Sequence, residues 1–533
     1  MGSIVGTIVD PLQRRVFSGR MVWEDGRILA VEPVAHERGP FIVPGFVDAH
    51  VHVESSMLPP AEFARLAMVH GTTGSVSDPH EIANVLGSDG VEFMLSDAAS
   101  SPFRFCFGAP SCVPATAFET AGAVLDARAV ARLLEDPRIG YLAEVMNFPG
   151  VLAKDADLME KIAAAARLGK PIDGHAPGLR GEDVRRYAAA GITTDHEASS
   201  FDEAVEKIAA GMKILIREGS AARNFDALVP LFGMYADRLM FCSDDKHPDA
   251  LLDGHINRLA ARAVEEGFDV LDVLYAACVH PVLHYRLPGG LLRLGDPADF
   301  VVVEDLKDFR VLETWIAGEC VARDGASLLP PRRSACPNRF HPRLVGAADF
   351  VIKGQGRVAR VIEVEDGQLI TRCAYCNVSD LESAGVLRLA VVNRYSDAPP
   401  AMAFVRNCGR IRGALASTVA HDSHNIVAVG SDEASLAHIV NLLMEARGGC
   451  AAFDGERSLV LPLPIAGLMS PEPGSVVAAD YAEITRMARQ MGATLEAPFM
   501  TLSFLALLVI PELKLSDRGL FDGRVFEFVP LFK

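Results

Sequence analysis

The chain has no basic stripe. Among its 533 residues, 51 lysines and arginines stand against 69 aspartates and glutamates, and the formal charge is −18. Nucleic-acid binding needs clustered positive charge to meet the phosphates, and the Arg332-Arg333 pair is isolated, so that class of partner is excluded. No apolar run reaches the ~20 residues needed to span a bilayer. The most apolar late stretch, Phe499 to Ile510, contains Thr501 and Ser503 and stops at Pro511, which suits a buried element and no membrane partner. The ten cysteines form no compact disulfide framework. The N-terminal MGSIVGTIVDP lacks the charged-then-apolar build of a secretory signal, so the expected location is cytoplasmic. Also missing are internal repeats, low-complexity tracts, and any P-loop or dinucleotide fingerprint.

What is present is an ordered composition, 50% hydrophobic and 23% charged, in a chain long enough for two or three domains. Residues 1 to about 40 alternate apolar and polar between turns such as Asp25-Gly26, which predicts short antiparallel strands. From Val43 to about His284, short β-branched runs alternate with Ala-, Leu- and Arg-rich helical stretches. Predicted strands are 42–52, 72–78, 103–109, 139–147, 171–175, 191–196, 213–218 and 239–243, spaced as βα units. The fold class is therefore α/β: a (β/α)8 TIM-like barrel over 43–285, with a small β domain built from both flanks, 1–42 and 286–330. Leu329 to Pro342 reads as a linker, and 343–533 as a C-terminal α+β domain.

Potential metal ligands stand at the ends of the barrel strands. His50 and His52 close the first run, and alternation in a strand turns both to one face, roughly 6.5–7 Å apart. Glu144, His175, His196 and Asp244 end later runs (YLAEVMN, IDGHAP, TTDHEA and MFCSDD), which a parallel barrel brings to one rim. Imidazoles and carboxylates together suit divalent zinc, manganese or iron. An isolated HxH is more often a surface loop; the shared strand-end position of the others favours ligation.

Long stretches resemble the amidohydrolase superfamily and, within it, the adenine deaminases of bacterial type: PGFVDAHVHVESSM, DPHEIANVLG, APSCVPAT, MNFPGV, DGHAPGL, AGITTDHE, IREGSAA, CSDDKHPD, ASTVAHDSHNI, LPLPIAGLMS and PFMTLSFLALLVIPELKLSDRGL. The first of these and the TTDHE type are general to amidohydrolases, whereas MNFPGV, AHDSHN and the C-terminal block are more specific. The resemblance runs from about Val43 to the C-terminus. It implies two divalent metal ions, manganese or iron ahead of zinc. His50 and His52 would bind the more buried ion, His175 and His196 the second, with Glu144 bridging them where many relatives use a carboxylated lysine. Asp244 would complete the first ion's shell and shuttle protons. Asp245 is its rival, and the position directly after the apolar run and Ser243 favours Asp244. The implied reaction is hydrolytic deamination of adenine to hypoxanthine and ammonia by a metal-bridging hydroxide, in purine salvage. Its partners would be adenine and water, and its assembly a homo-oligomer, a dimer. The alternatives are another aminated heterocycle or cyclic amide as substrate, or a non-catalytic scaffold; the last is opposed by a ligating side chain at every candidate position.

Further residues are candidates for substrate or supporting contacts. Asp78-Pro79-His80-Glu81 follows the second strand, where a helix N-terminus explains the pattern and still leaves His80 or Glu81 free to reach the site. His421 and His424 of AHDSHN suit a loop that closes over the barrel, while Arg217-Glu218 suits either a purine contact or a rim salt bridge. A decoy is also present: His52-Val53-Glu54 with Cys373-Ala374-Tyr375-Cys376 imitates the zinc deaminase signature. Arg372 stands where that signature needs proline, and the two pieces lie far apart in the chain.

Overall fold

The computed structural model describes residues 1–35, 39–354 and 356–533; the end of the expected N-terminal strand region, at 36–38, lies outside them. Both flanks of the barrel contribute to one antiparallel-rich sheet. Its N-terminal strands are β1 (Gly2–Asp10), β2 (Arg15–Glu24), β3 (Arg27–Pro33) and β4 (Phe41–Pro44); its C-terminal strands are β13 (Phe300–Val303), β14 (Val311–Ile316), β15 (Glu319–Arg323) and β16 (Ala326–Ser327). The order β16-β15-β14-β13-β4-β1-β2-β3 joins the flanks through β4 and β13, which pair Val43 with Val301. Trp23, Phe300 and Trp315 pack together at this seam, with ring centroids 5.4–5.5 Å apart.

The parallel strands follow in chain order: β5 (Phe46–Val51), β6 (Thr72–Ser77), β7 (Arg104–Ala109), β8 (Ile139–Val145), β9 (Ile172–Gly174), β10 (Thr194–Asp195), β11 (Lys213–Arg217) and β12 (Leu239–Cys242). They form a five-stranded and a three-stranded sheet whose free edges meet, giving a TIM-like curl. At one seam Asp244 N donates to His50 O at 3.0 Å; at the other Thr193 N donates to Ile172 O at 2.9 Å. Strands β5, β6 and β12 are buried along their whole length, as suits parallel strands covered on both faces.

One expectation is corrected. The run 42–52 is two strands in two sheets, divided at Pro44-Gly45. Proline cannot donate to a ladder, and a Cβ on Gly45 would meet Thr73 Oγ1 at 2.0 Å, so only glycine lets the chain cross between sheets here. The predicted strand 191–196 also shrinks to Thr194–Asp195.

Residues 328–346 run without regular structure between the flank sheet and the C-terminal region. There β17 (Val358–Val364), β18 (Thr371–Asn377), β19 (Leu387–Val392), β20 (Ala401–Arg406), β21 (Ala414–Ser417), β22 (Ile426–Gly430), β23 (Gly449–Phe453) and β24 (Ser458–Pro462) form a second eight-stranded sheet. Helix Glu433–Ala446, capped by Asp432 accepting from Ser435 N, covers one face with Leu436, Ile439, Val440 and Leu443. Helix Pro498–Phe504 brings Phe504 to the cavity at the strand ends, and the hairpin β25 (Leu513–Ser516) and β26 (Gly519–Asp522) packs beside it on the loop after β7. They hold the long loop after β7: Thr120 N donates to Asp517 Oδ1, Ser516 Oγ to Phe118 O, and Phe118 packs on Phe521, Phe526 and Phe528. Among the described residues, no helix is long and apolar enough to cross a membrane.

Candidate metal centre

The carboxylate of Glu144, at the end of β8, lies between histidines from the ends of β5, β9 and β10, with His80 beyond β6 also near it. Its Oε1 lies 3.4 Å from His52 Nε2, and its Oε2 lies 2.8 Å from His175 Nδ1 and 3.1 Å from His196 Nε2. His50 stacks on His196 with ring centroids 4.1 Å apart, and its Nε2 comes within 3.2 Å of His52 Nε2. Asp244 Oδ1 closes this side at 3.5 Å from His50 Nε2 and 3.4 Å from His52 Nε2. Asp244 takes a left-handed backbone, φ 55°, just past β12, which turns its carboxylate inward beside β5.

The donor set fits divalent cations. The Nε2 atoms of His50 and His52 face each other across 3.2 Å, and with both unprotonated their two lone pairs converge on one cation. His52 Nδ1 lies 3.2 Å from the Asp78 carbonyl oxygen, the type of second contact that fixes an imidazole's ligating nitrogen. His175 Nε2 and His80 Nε2 are buried without a hydrogen-bond partner. The ligand atoms of His50, His196 and Asp244 lie within 4.8 Å of one another, as do those of Glu144, His175 and His196. Burial alone would raise both carboxyl groups. The His175 and His196 imidazoles nevertheless hold Glu144 well below the usual range, and Arg217 with His50 and His52 does the same for Asp244. Both carboxylates therefore stay ionised.

Arg217 and Glu197 support this centre. Arg217 donates to Asp244 Oδ2 at 2.6 Å and is held by both oxygens of Glu197, whose carboxylate also lies 3.6 Å from His175 and His196. Sequence reasoning missed Glu197, because alternation would turn it away from His196. With β10 ending at Asp195, alternation no longer governs the next residues. Asp48 was missed too, although the spacing of Asp48, His50 and His52 puts all three on one strand face. It takes hydrogen bonds from Ser243 N at 3.0 Å and from the Ser243 hydroxyl, and lies 2.9 Å from His255 Nε2, tying β5 to β12 below the centre.

The other sequence candidates fall into distinct places. Asp78 Oδ1 accepts from His80 N at 3.0 Å and its Oδ2 lies 3.2 Å from His80 Nδ1, so it aims His80 towards Glu144 Oε1, 3.5 Å away. The helix there begins at His80, with Pro79 as the flanking residue. Glu81 and Asp245 face the C-terminal region: His421 Nε2 lies 2.8 Å from Glu81 Oε1 and 3.3 Å from Asp245 Oδ1. Ser55 Oγ joins the same two carboxylates at 3.1 and 2.5 Å. Asp245 is thus turned to the roof, and His421 holds its carboxyl down to about 2 against the effect of burial. Asp422, not singled out in the sequence, lies 3.6 Å from His80 Nε2. Two candidates are not brought to the centre. His424 is buried with Nδ1 accepting from Ala420 N at 3.2 Å, a turn contact. Glu218 pairs with Arg262 and Arg223, because strand alternation turns it opposite to Arg217.

A cavity of about 30 Å³ lies at the centre, lined by His52, Glu144, His175, His196 and Asp244 and by Leu369, Phe504, Leu507 and Val509 of the C-terminal region. Beside it a cavity of about 1230 Å³ opens between the loop after β7 and the C-terminal hairpin. Glu119 lines that larger space, and burial followed by the nearby Asp422 pushes its carboxyl up to about 8.

Comparison with known proteins agrees with this geometry. The sequence profile of the amidohydrolase family matches residues 41–321, and that of the adenine deaminase C-terminal domain matches residues 359–527. An adenine deaminase of Salinibacter ruber is 55% identical over 99% of each chain, and one of Sulfurovum sp. is 53% identical over 98% of each. One of Methanosarcina mazei is 48% identical over the full length of both. With matches over both halves and relatives that align end to end, the chain belongs to the amidohydrolase family, among its adenine deaminases.

Proposed function

We propose that the chain deaminates adenine hydrolytically, giving hypoxanthine and ammonia, at a centre of two divalent cations. The observation that carries this reading is Glu144, whose two oxygens face different histidines beneath a roof of the adenine-deaminase type. His50, His52 and Asp244 would hold one cation, His175 and His196 the other, and Glu144 would bridge them. The nitrogen and oxygen donors suit manganese or iron, and also admit zinc. Bound divalent cations lower the pKa of water towards neutrality, which makes water a nucleophile at physiological pH.

The remaining steps belong to side chains. Arg217 holds Asp244 Oδ2, leaving Oδ1 facing the centre as an ionised base. Asp244 accepts a proton from the attacking water and delivers it towards the purine and its departing amino group. The ring carbon gains oxygen and loses nitrogen, so adenine and water become hypoxanthine and ammonia with atoms balanced. Glu144 takes no proton and keeps the spacing. Residues 1–42 with 286–330, 43–285 and 343–533 act as support, catalytic barrel and roof.

Metal-free protein reconstituted with manganese, iron or zinc and offered a panel of aminated heterocycles tests the reading. Ammonia should appear with adenine ahead of the others. Ammonia from another heterocycle and none from adenine would shift the substrate; none from any would remove the activity.

A further inference from the structure

The cavity of about 30 Å³ at the centre has room for one or two water molecules, several-fold less than a purine ring requires. Leu369 and Val509 line both this cavity and the one of about 1230 Å³ beside it, as do Met146, Glu197 and Arg217. The C-terminal wall of Leu369, Phe504, Leu507 and Val509 thus covers the small cavity, with Leu369 and Val509 on its border with the larger one. Adenine enters this site only if the wall gives way and then closes on the ring.

Two separate segments build the wall: the turn between β17 and β18, and the end of helix Pro498–Phe504 with the chain that follows it. One side chain joins them. Lys514 Nζ donates to Leu369 O at 2.6 Å and to Phe504 O at 2.9 Å. Lys514 is fully buried, and among the described residues no carboxylate pairs with it. Burial pushes its amine down to about 7, so the fold keeps an amine with no counter-charge where hydrocarbon would pack without that penalty. Within helix Pro498–Phe504 and the chain after it, Met500, Phe504, Leu507 and Ile510 form a small apolar cluster whose barrel member, among the described residues, is Ala221, while Phe499, Leu502, Leu505 and Ala506 pack into the main core.

We propose that Lys514 is a positioning residue for the purine, tying Leu369 and Phe504 so that the wall opens and closes over the ring as one piece. The inference rests on the adenine reading above. The neighbouring contacts fit it: Thr371 Oγ1 donates to Leu513 O at 2.8 Å and Glu512 N to Thr371 O at 3.0 Å, so β18 and β25 form the base on which both segments move.

Hydrogen exchange on the metal-loaded protein tests it. In Lys514→Met, amides of 368–371 and 504–510 should exchange about tenfold faster, while barrel-strand amides and metal content stay as in the unmodified protein. The Michaelis constant for adenine should rise more than kcat falls, because the ring is positioned less well and the chemistry is intact. Unchanged exchange in both segments, or an equal rise throughout the molecule, overturns the proposal. If the variant does not fold, the unmodified protein still decides: hypoxanthine should slow exchange in the two segments together, and protection of only one of them overturns the tie. Failure to deaminate adenine would refute the parent reading and leave the exchange result of Lys514→Met standing as a separate measurement.

Discussion

Around the centre, the barrel supplies charge and the C-terminal region supplies mostly hydrocarbon. From strand ends come His50, His52, Glu144, His175, His196 and Asp244; from the roof come Leu369, Phe504, Leu507 and Val509, with His421 and Asp422 as polar exceptions. Ligands need fixed positions, which short parallel strands locked in a ladder provide. A cover must let a substrate through, which is easier for apolar segments than for an ion-pair network. The two regions meet at His421, Glu81 and Asp245, where roof and rim share one cluster of buried polar groups.

The comparison can be broken at its charged end first. Glu144→Gln keeps the shape and removes the bridging charge, so metal content and ammonia release should fall together to near background. Near-normal turnover with full metal content would remove Glu144 from the centre. Asp244→Asn should cost on the order of 10²–10⁴-fold in kcat for the acid–base part alone, with lost coordination adding to it. Asp245→Asn should be milder, since its carboxylate faces Ser55 and His421; the reverse ranking in a steady-state assay would transfer the role.

At the joint between the regions, His421→Ala should lower turnover by up to ~10²-fold, the scale of a misplaced substrate. The smallest effect concerns stability. The folded pKa of Lys514, about 7, lies below its ordinary value, so the unfolded chain binds the proton more readily. Its penalty is full below pH about 7 and is relieved as pH rises. Relative to Lys514→Met, the unmodified protein should gain about 1.4 kcal/mol per pH unit between pH about 7 and 9. Parallel stability curves for the two proteins in denaturant would show that the amine titrates normally.

The six side chains gathered at the centre were legible in the sequence because each follows an apolar run, and the end of a buried parallel strand is where a barrel points side chains inward. Local pattern also separated the flank strands from the barrel, though not the step at Gly45. That step depends on a contact with Thr73, which a reading of the local run does not contain. Glu197 was hidden by the brevity of β10, and Glu218 was included because two adjacent charges at a strand end look alike until alternation assigns their sides. The roof was the least legible. His421 could be suspected from its composition, but its partners Glu81 and Asp245 come from distant parts of the chain. Lys514 gives no local sign of being buried, since an alternating LKLS run puts lysine on whichever face the tertiary fold decides.

Metal content per chain, measured beside adenine turnover in the same preparations of the unmodified protein and His421→Ala, tests the division between rim and roof most directly. Two metal ions should be retained in both proteins while turnover drops in the variant. Loss of metal in His421→Ala, or turnover and Michaelis constant equal to those of the unmodified protein, would contradict it.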